Sequence, residues 1–119
     1  MSSKISESLE FPESMNLDDM RAHAGDAAQL LRALANENRL LILCLLADGE
    51  MTVGQLNERV DLSQSALSQH LAILRRDGLV ETRRASQTIF YSLATGPAAR
   101  IIHTLHEIYC GPVARGAPA

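Results

Sequence analysis

The sequence predicts a mainly helical domain that carries one small β-hairpin. Apolar residues recur with a helical period along most of the chain, and the period changes from about 3.6 to 2 only over residues 79–93. Among 119 residues there are two Phe, two Tyr and no Trp, so the core must be aliphatic and mostly helical. This length has room for one domain of ordinary size.

The two ends of the chain are polar or rich in helix-breaking residues. Residues 1–16 contain Pro12 and show no sustained period, and the chain ends with "VARGAPA" after a Gly-Pro break. We therefore expect a mobile N-terminal tail over 1–16, one domain over 17–110 and a flexible tail over 111–119. No apolar run reaches the ~18–20 residues of a membrane helix, and no secretory signal is visible, so the expected location is the cytoplasm.

Two helices are predicted in the first half of the domain. The first runs from Leu17 to about Leu34, and acidic residues in its first turn suit the positive end of the helix dipole. Asn36 can cap the second, "ENRLLILCLLAD", whose apolar residues lie on nearly every side. Such a helix is expected to lie at the centre of the domain, with Gly49 ending it.

A helix-turn-helix is predicted from two short helices joined by a tight turn. Thr52 and Gln55 have the spacing of a capping box and open "VGQLNERV". Ser63 can cap the next helix, "QSALSQHLAILRRD", which stops at Gly78. The second helix is rich in small polar residues, as in helices that enter a DNA groove.

A β-hairpin and a last helix complete the domain. The runs "LVETRR" and "TIFYSL", separated by "ASQ", alternate in polarity and place arginines near the hairpin tip. Pro97 lies in the first turn of the last helix, "AARIIHTLHEIYC". The order α1-α2-α3-α4-β-β-α5 is that of a winged helix-turn-helix with an extra helix at each end.

Helical angles divide the fourth helix into two faces. At about 100° per residue, one half is apolar and includes His70, for which we expect partly buried packing and not a base contact. The other half is short and polar, without the long Glu and Lys of an ordinary solvated face. Its amides can pair with adenine, its hydroxyls can reach base edges and its arginines suit phosphates. We predict DNA contacts by Gln64, Ser65, Ser68, Gln69 and Arg75.

The predicted partner is double-stranded DNA, although the net charge of −3 at first argues against nucleic acid. The first 26 residues hold two bases and six acids, whereas residues 27–119 hold nine and eight. DNA affinity must therefore come from local placement and from doubling in a dimer. Arg83 and Arg84 at the hairpin are predicted to contact phosphates or the minor groove. The alternative is solvated charge that protects a sheet edge from aggregation.

Three segments resemble the ArsR/SmtB family of bacterial winged-helix regulators: "LLRALANENRLLILCLL", "MTVGQLNERVDLSQSALSQHLAILRRDGLVETRR" and "IFYSL". The resemblance spans about Ala28 to Leu93 plus the terminal helix. It implies a homodimer formed by the first and last helices, repression through an inverted-repeat operator, and an effector that lowers affinity. It also implies that the family's base-contacting positions are Gln64, Ser65, Ser68 and Gln69, which lie on the polar face of the fourth helix. Many members carry glycine at the wing tip, where this chain has "RRASQT", so the wing geometry can differ.

Metal sensing is an open alternative within this family. The family's Cys-x-Cys site in the third helix is absent from "TVGQLNERV". The family's terminal-helix site is represented only by His103-x-x-His106, without an Asp-x-His before it. Histidines three residues apart can chelate zinc in principle, but a solvated face is the plainer interpretation. We predict no metal and no cofactor.

The two cysteines have one interpretation from the residues alone and another from the family resemblance. From the residues alone, Cys44 in the apolar second helix is typical of a small core hydrophobe, and Cys110 is a reachable thiol at a helix end. The chain also resembles the persulfide-sensing (BigR/SqrR-like) branch of the family, which has cysteines at these two places. That resemblance implies that a disulfide or polysulfide link joins the two thiols of one subunit and that the repressor then leaves DNA. Reactive sulfur species are the implied effector.

Three functional hypotheses follow from the sequence. The preferred one is a thiol-switched repressor, and the others are a metal-sensing repressor and a winged-helix module that binds only proteins. The polar face of the fourth helix argues against the last. An enzyme is not expected, because no Ser-His-Asp arrangement, glycine-rich phosphate loop or pair of buried carboxylates can be made out.

Overall fold

The structure, a computed structural model, describes residues 16–111. These residues form the predicted winged helix-turn-helix. Apart from Asn16 and Gly111, the two predicted tails lie outside the described residues. No helix among residues 16–111 is long and apolar enough to cross a membrane. The elements are α1 (Leu17–Leu34), α2 (Glu37–Ala47), β1 (Met51–Thr52), α3 (Val53–Arg59), α4 (Gln64–Arg76), β2 (Val80–Ala85), β3 (Thr88–Leu93) and α5 (Pro97–Cys110).

Side-chain caps fix the starts of the first four helices. Asn36 Oδ1 accepts from the Arg39 N–H at 3.0 Å, and Ser63 Oγ accepts from the Ala66 N–H at 3.1 Å. The capping box predicted for α3 is complete, since Thr52 and Gln55 each bond the other's backbone N–H. Asn16 caps α1 in the same manner, and α5 begins instead with Pro97. These caps are local, which is why residue spacing predicts the helix starts.

The core is aliphatic and is built around α2. Ile42, Leu43 and Leu46 of α2 are buried, and this helix packs against α1, α4, α5 and β3. The predicted central position of α2 is therefore confirmed. Burial is not complete on every side, because Leu41 is 55% exposed. One edge of α2 thus stays uncovered by the described part of the chain.

The wing is a three-stranded sheet with the order β1-β3-β2. The predicted hairpin of β2 and β3 is present, and the two-residue β1 pairs antiparallel with Tyr91 and Phe90 of β3. β1 was not predicted, because two residues are too few to show a period. At the wing tip Ser86 has φ of 62°, a left-handed conformation that glycine adopts most easily. The turn therefore forms without the glycine that many family members carry.

Adjacent residues of α4 offer a test of its two faces. Leu67→Ala should lower the free energy of unfolding by about 2–5 kcal/mol, because this side chain is fully buried and leaves a cavity. Ser68→Ala changes an exposed residue and should shift that free energy by less than about 0.5 kcal/mol. Urea unfolding at one protein concentration measures both. Equal losses in the two variants would contradict the division.

Candidate nucleic-acid interface and thiol pair

Burial divides α4 as the helical angles predict. On the apolar face Leu67, Leu71 and Leu74 are buried, while Ala66, His70 and Ile73 are half-buried. The opposite face points to solvent along its whole length and presents amide and hydroxyl groups. Its exposed members are Gln64, Ser65, Ser68, Gln69, Ala72, Arg75 and Arg76.

The turn between α3 and α4 is held by a side chain that sequence analysis did not single out. Asn57 Nδ2 donates to the Leu62 carbonyl oxygen at 2.8 Å. Leu56 and Val60 are buried beneath this turn. This hydrogen bond and this packing hold the first turn of α4 against α3. The polar face of α4 is thereby directed away from α3 and toward solvent.

The two arginines at the end of α4 differ in their partners. Arg76 Nε lies 3.1 Å from Asp77 Oδ1, and this bond lowers the pKa of the Asp77 carboxyl. Arg75, the arginine predicted to contact DNA, has no hydrogen-bond or ion-pair partner among residues 16–111. Its charge therefore remains available to an external anion.

The two wing arginines also differ. Arg83 Nε donates to Glu50 Oε1 at 2.8 Å, and its guanidinium carbon lies 4.5 Å from the centroid of the Phe90 ring. The hydrogen bond from Arg83 lowers the pKa of the Glu50 carboxyl, so this pair stays ionised at neutral pH. Arg84 is exposed and pairs with no acidic residue in the described chain. The Arg83–Glu50 pair was not predicted, because the two residues are 33 positions apart in the sequence.

The two cysteines lie on helices that pack against each other. Cys44 is half-buried in α2 and Cys110 is exposed at the end of α5, and both are free thiols. Burial raises the pKa of the Cys44 thiol, and the negative charge of a Cys110 thiolate raises it further, followed by Asp48. The packing of α2 against α5 places both cysteines at the same helix pair. The burial difference expected between the cysteines is present.

Gly111 fixes the chain directly after Cys110. It is buried, and its N–H donates to the Glu107 carbonyl oxygen at 3.2 Å. A Cβ at this position would overlap that same oxygen. Only glycine fits this close approach, so Cys110 is held at a defined helix end.

The histidines proposed for metal sensing are exposed on α5. His103 and His106 both face solvent. Within residues 16–111, no group of three or more His, Cys, Asp or Glu side chains is arranged to hold a metal ion. The absence of a metal site remains a prediction, tested below.

Comparison with known proteins decides the family. The profile described as "Bacterial regulatory protein, arsR family" matches residues 36–82. The transcriptional activator HlyU of Vibrio cholerae serotype O1 is 55% identical over 96 residues, which cover 81% of this chain and 89% of that protein. The chain belongs to the ArsR family. It is therefore similar throughout its domain to DNA-binding transcriptional regulators, and not to enzymes.

Other ArsR-family relatives support the resemblance to the BigR-like branch. The biofilm growth-associated repressor of Agrobacterium fabrum is 46% identical over 96 residues, covering 81% of this chain and 82% of that protein. The repressor BigR of Xylella fastidiosa superposes with a TM-score of 0.72 at 41% identity, covering 81% of this chain and 98% of that one.

Two further solved structures are similar. One is reduced HlyU of Vibrio cholerae, with a TM-score of 0.75 at 54% identity, covering 79% of this chain and 99% of that one. The other, from Mycobacterium bovis, is described as a homodimeric winged helix-turn-helix domain. Its TM-score is 0.66 at 32% identity, and the match covers 82% of this chain and 89% of that one.

The wing arginines should affect DNA binding to different degrees. Arg84→Ala should weaken binding to all sequences similarly and reduce the salt slope by about 1, because it removes an unpaired cation. Arg83→Ala should act in the same direction with a smaller change in slope, since Glu50 already neutralises this charge. Fluorescence anisotropy across a salt series on specific and random duplexes measures both slopes. An unchanged slope in folded Arg84→Ala would contradict a phosphate contact.

Zinc should have little effect on DNA binding by the reduced protein. The physical reason is the lack of a third ligand to accompany His103 and His106 among the described residues. Anisotropy with and without zinc, together with zinc titration calorimetry, tests this expectation. A tight stoichiometric zinc complex that released DNA, and that His103→Ala or His106→Ala abolished, would overturn it.

Proposed function

We propose that the chain is a homodimeric repressor that binds an inverted-repeat operator and leaves it when a thiol switch closes. The switch is the linking of Cys44 to Cys110 within one subunit, driven by reactive sulfur species. One observation carries the proposal: the only two thiols of the chain lie on helices that pack against each other, one half-buried and the other exposed.

Exposed apolar side chains on the terminal helices support a dimer. Leu17, Met20 and Leu31 of α1 and Ile108 and Tyr109 of α5 are large and exposed, up to 74% for Tyr109. Exposed apolar side chains that gather into one patch mark an interaction surface. The relative from Mycobacterium bovis is described as homodimeric. A second copy of this chain is the partner we propose for α1 and α5.

An inverted-repeat operator follows from two-fold symmetry. A dimer presents two α4 helices related by a two-fold axis, so the sites that they read are themselves related by a two-fold axis. Helices of this kind read half-sites about one helical turn apart, ~10 bp. Relatives are named both activator and repressor, and we propose repression, as in the BigR protein.

The switch chemistry balances with a low-molecular-weight hydropersulfide, RSSH, as the two-electron oxidant. The Cys110 thiolate attacks the outer sulfur, and RS⁻ leaves with the electron pair of the broken S–S bond. Cys44 then attacks Cys110 Sγ and expels HS⁻, which forms the disulfide. The dithiol loses two electrons, and RSSH ends as RSH and H2S, which carry the three protons. A second RSSH that adds one more sulfur before closure gives a trisulfide and a second RSH.

The surroundings of the thiols support this order of attack. Cys110 is exposed and meets the oxidant first. Cys44 is half-buried and its pKa is raised, so it is mainly a thiol at neutral pH and a slow nucleophile on its own. Its attack becomes efficient only when Cys110 brings an electrophilic sulfur close to it.

The link would reach DNA through α2. This helix packs against both α5 and α4, so joining Cys44 to Cys110 changes how α5 sits relative to the DNA-reading unit. Each ~1.4 kcal/mol of difference between the two dimer shapes changes affinity tenfold. One solved HlyU structure, from Vibrio cholerae, is described as reduced.

The reading face is tested by single alanine substitutions. Gln64→Ala, Ser65→Ala, Ser68→Ala and Gln69→Ala should each cost ~1–3 kcal/mol of operator binding and relax base preference, because each removes a groove-facing polar group. Competition anisotropy against single-base variants measures this, on a duplex enriched from a random library by the reduced protein. Ala72→Ser on the same exposed face is the matched control. Intact affinity in all four variants would contradict the assignment.

The thiol switch is tested by persulfide treatment of the reduced protein. A disulfide within one subunit should lower its mass by two hydrogens, and a polysulfide link should add the mass of one or more sulfur atoms to that value. Operator affinity should fall in either case. Cys44→Ser and Cys110→Ser should each bind DNA and no longer respond, because closure needs both thiols. Peroxide and small disulfides, run as separate arms, show which oxidant acts.

Reversal by a dithiol reductant is the control for the switch, since it should restore both mass and DNA binding. If the double Ser variant still released DNA on persulfide treatment, the switch would be wrong. The proposed DNA-binding role of α4 would be unaffected by that result.

A further inference from the structure

Arg39 of α2 lies where three helices meet. Its Nε donates to the Ala33 carbonyl oxygen at 2.7 Å, and its Nη2 donates to the Arg32 carbonyl oxygen at 3.2 Å. Both carbonyls belong to the last turn of α1, where backbone oxygens lack partners within the helix. The same guanidinium places Nη1 3.4 Å from Nδ1 of His70, in the middle of α4. One planar group thus joins the end of α1 to the centre of α4.

The chemistry of the pair fixes the proton on His70. A guanidinium only donates hydrogen bonds, so Nδ1 of His70 must accept and its ring proton must lie on Nε2. His70 is half-buried and directly follows Gln69, which belongs to the exposed face. Its hydrogen bond to Arg39 is directional, whereas the apolar packing contacts of the neighbouring Leu67 and Leu71 are not.

A second polar link holds the other end of α4 to α1. Gln29 Nε2 donates to Asp77 Oδ2 at 3.4 Å, and Arg32 Nη2 donates to Gln29 Oε1 at 3.1 Å. Gln29 and Arg32 are exposed and Asp77 is half-buried, and the bond between Gln29 and Asp77 is long at 3.4 Å, so this link is weak by itself. Together with the Arg39–His70 bond, it constrains α4 at its middle and at its end.

We propose that Arg39 and His70 are positioning residues that set the rotation of α4, and hence the register of its polar face in the groove. Leu67, Leu71 and Leu74 hold α4 on the core through contacts that are not directional. The Arg39–His70 bond adds a directional constraint on the rotation of α4 about its axis. The proposal rests on the DNA-reading role of α4 proposed above, and it does not depend on the thiol switch.

Three substitutions at His70 separate positioning from packing. His70→Asn places the amide Oδ1 where Nδ1 accepts, so the bond from Arg39 can be kept. His70→Gln carries its amide one bond further and does not match Nδ1. His70→Leu fills a similar half-buried volume without an acceptor. Arg39 is not the primary target, because Arg39→Gln also removes the cap of α1 and can unfold the chain.

The readout is the ratio of dissociation constants for a scrambled duplex and for the duplex enriched by the reduced protein. His70→Leu and His70→Gln should lower this ratio about five- to tenfold, which lies within the range of coupling found for polar pairs in contact. His70→Asn should keep it within about twofold. Thermal unfolding confirms that each variant is folded, and a purely structural role would move the melting temperature but not the ratio.

A ¹⁵N spectrum of the imidazole gives an independent signature. At a pH where His70 is neutral, its Nδ1 should be unprotonated and its Nε2 protonated. An unchanged ratio in His70→Leu, equal losses in His70→Leu and His70→Asn, or a proton on Nδ1 would each overturn the proposal. If the alanine variants of the polar face lose discrimination while the His70 variants do not, positioning fails and DNA reading by α4 stands. If neither set has an effect, the proposed reading face itself is wrong.

Discussion

Burial of α2 is the constraint on which the other elements depend, because a helix with apolar residues on most sides needs a neighbour against each of them. Four elements supply those neighbours: α1, α4, α5 and β3. With two Phe and no Trp in the chain, the contacts are made by leucine, isoleucine, valine and alanine, which fill space only when backbones approach closely. A displacement of α2 against one neighbour is therefore felt by the others.

This central helix also carries the polar groups that connect its neighbours. Arg39 near its start meets α1 and α4, and Cys44 one and a half turns later lies near the end of α5. An 11-residue α-helix is short and stiff, so the two positions move together. In the proposed mechanism, a covalent link at Cys44 therefore acts on the same helix, α2, that orients α4 through Arg39.

The fold was predictable from the sequence wherever a local pattern determined it. The faces of α4, the caps at Asn36 and Ser63 and the central position of α2 follow from spacing within a few residues. The missed features depend on approach in three dimensions. The Arg39–His70 and Arg83–Glu50 pairs join residues 31 and 33 positions apart, and no local period reports them. The residues alone leave both cysteines with ordinary roles, and only the family resemblance predicted that they act together.

The difference in exposure and pKa between Cys44 and Cys110 suits a switch that should not close when only one thiol is oxidised. Burial is the largest cause of the raised pKa of Cys44, ahead of the charges of Cys110 and Asp48. Burial and the charge of Asp48 persist after Cys110 has reacted, so the pKa of Cys44 stays raised. Its attack must then rely on proximity to the modified Cys110, which only the folded domain provides. An oxidant that meets Cys44 first finds a slow thiol, and one that modifies only Cys110 leaves a product that cellular thiols can reverse. Closure therefore requires the exposed thiol, the buried thiol and the packing of α2 on α5 at once, which makes the proposed signal depend on the fold as well as on the chemistry.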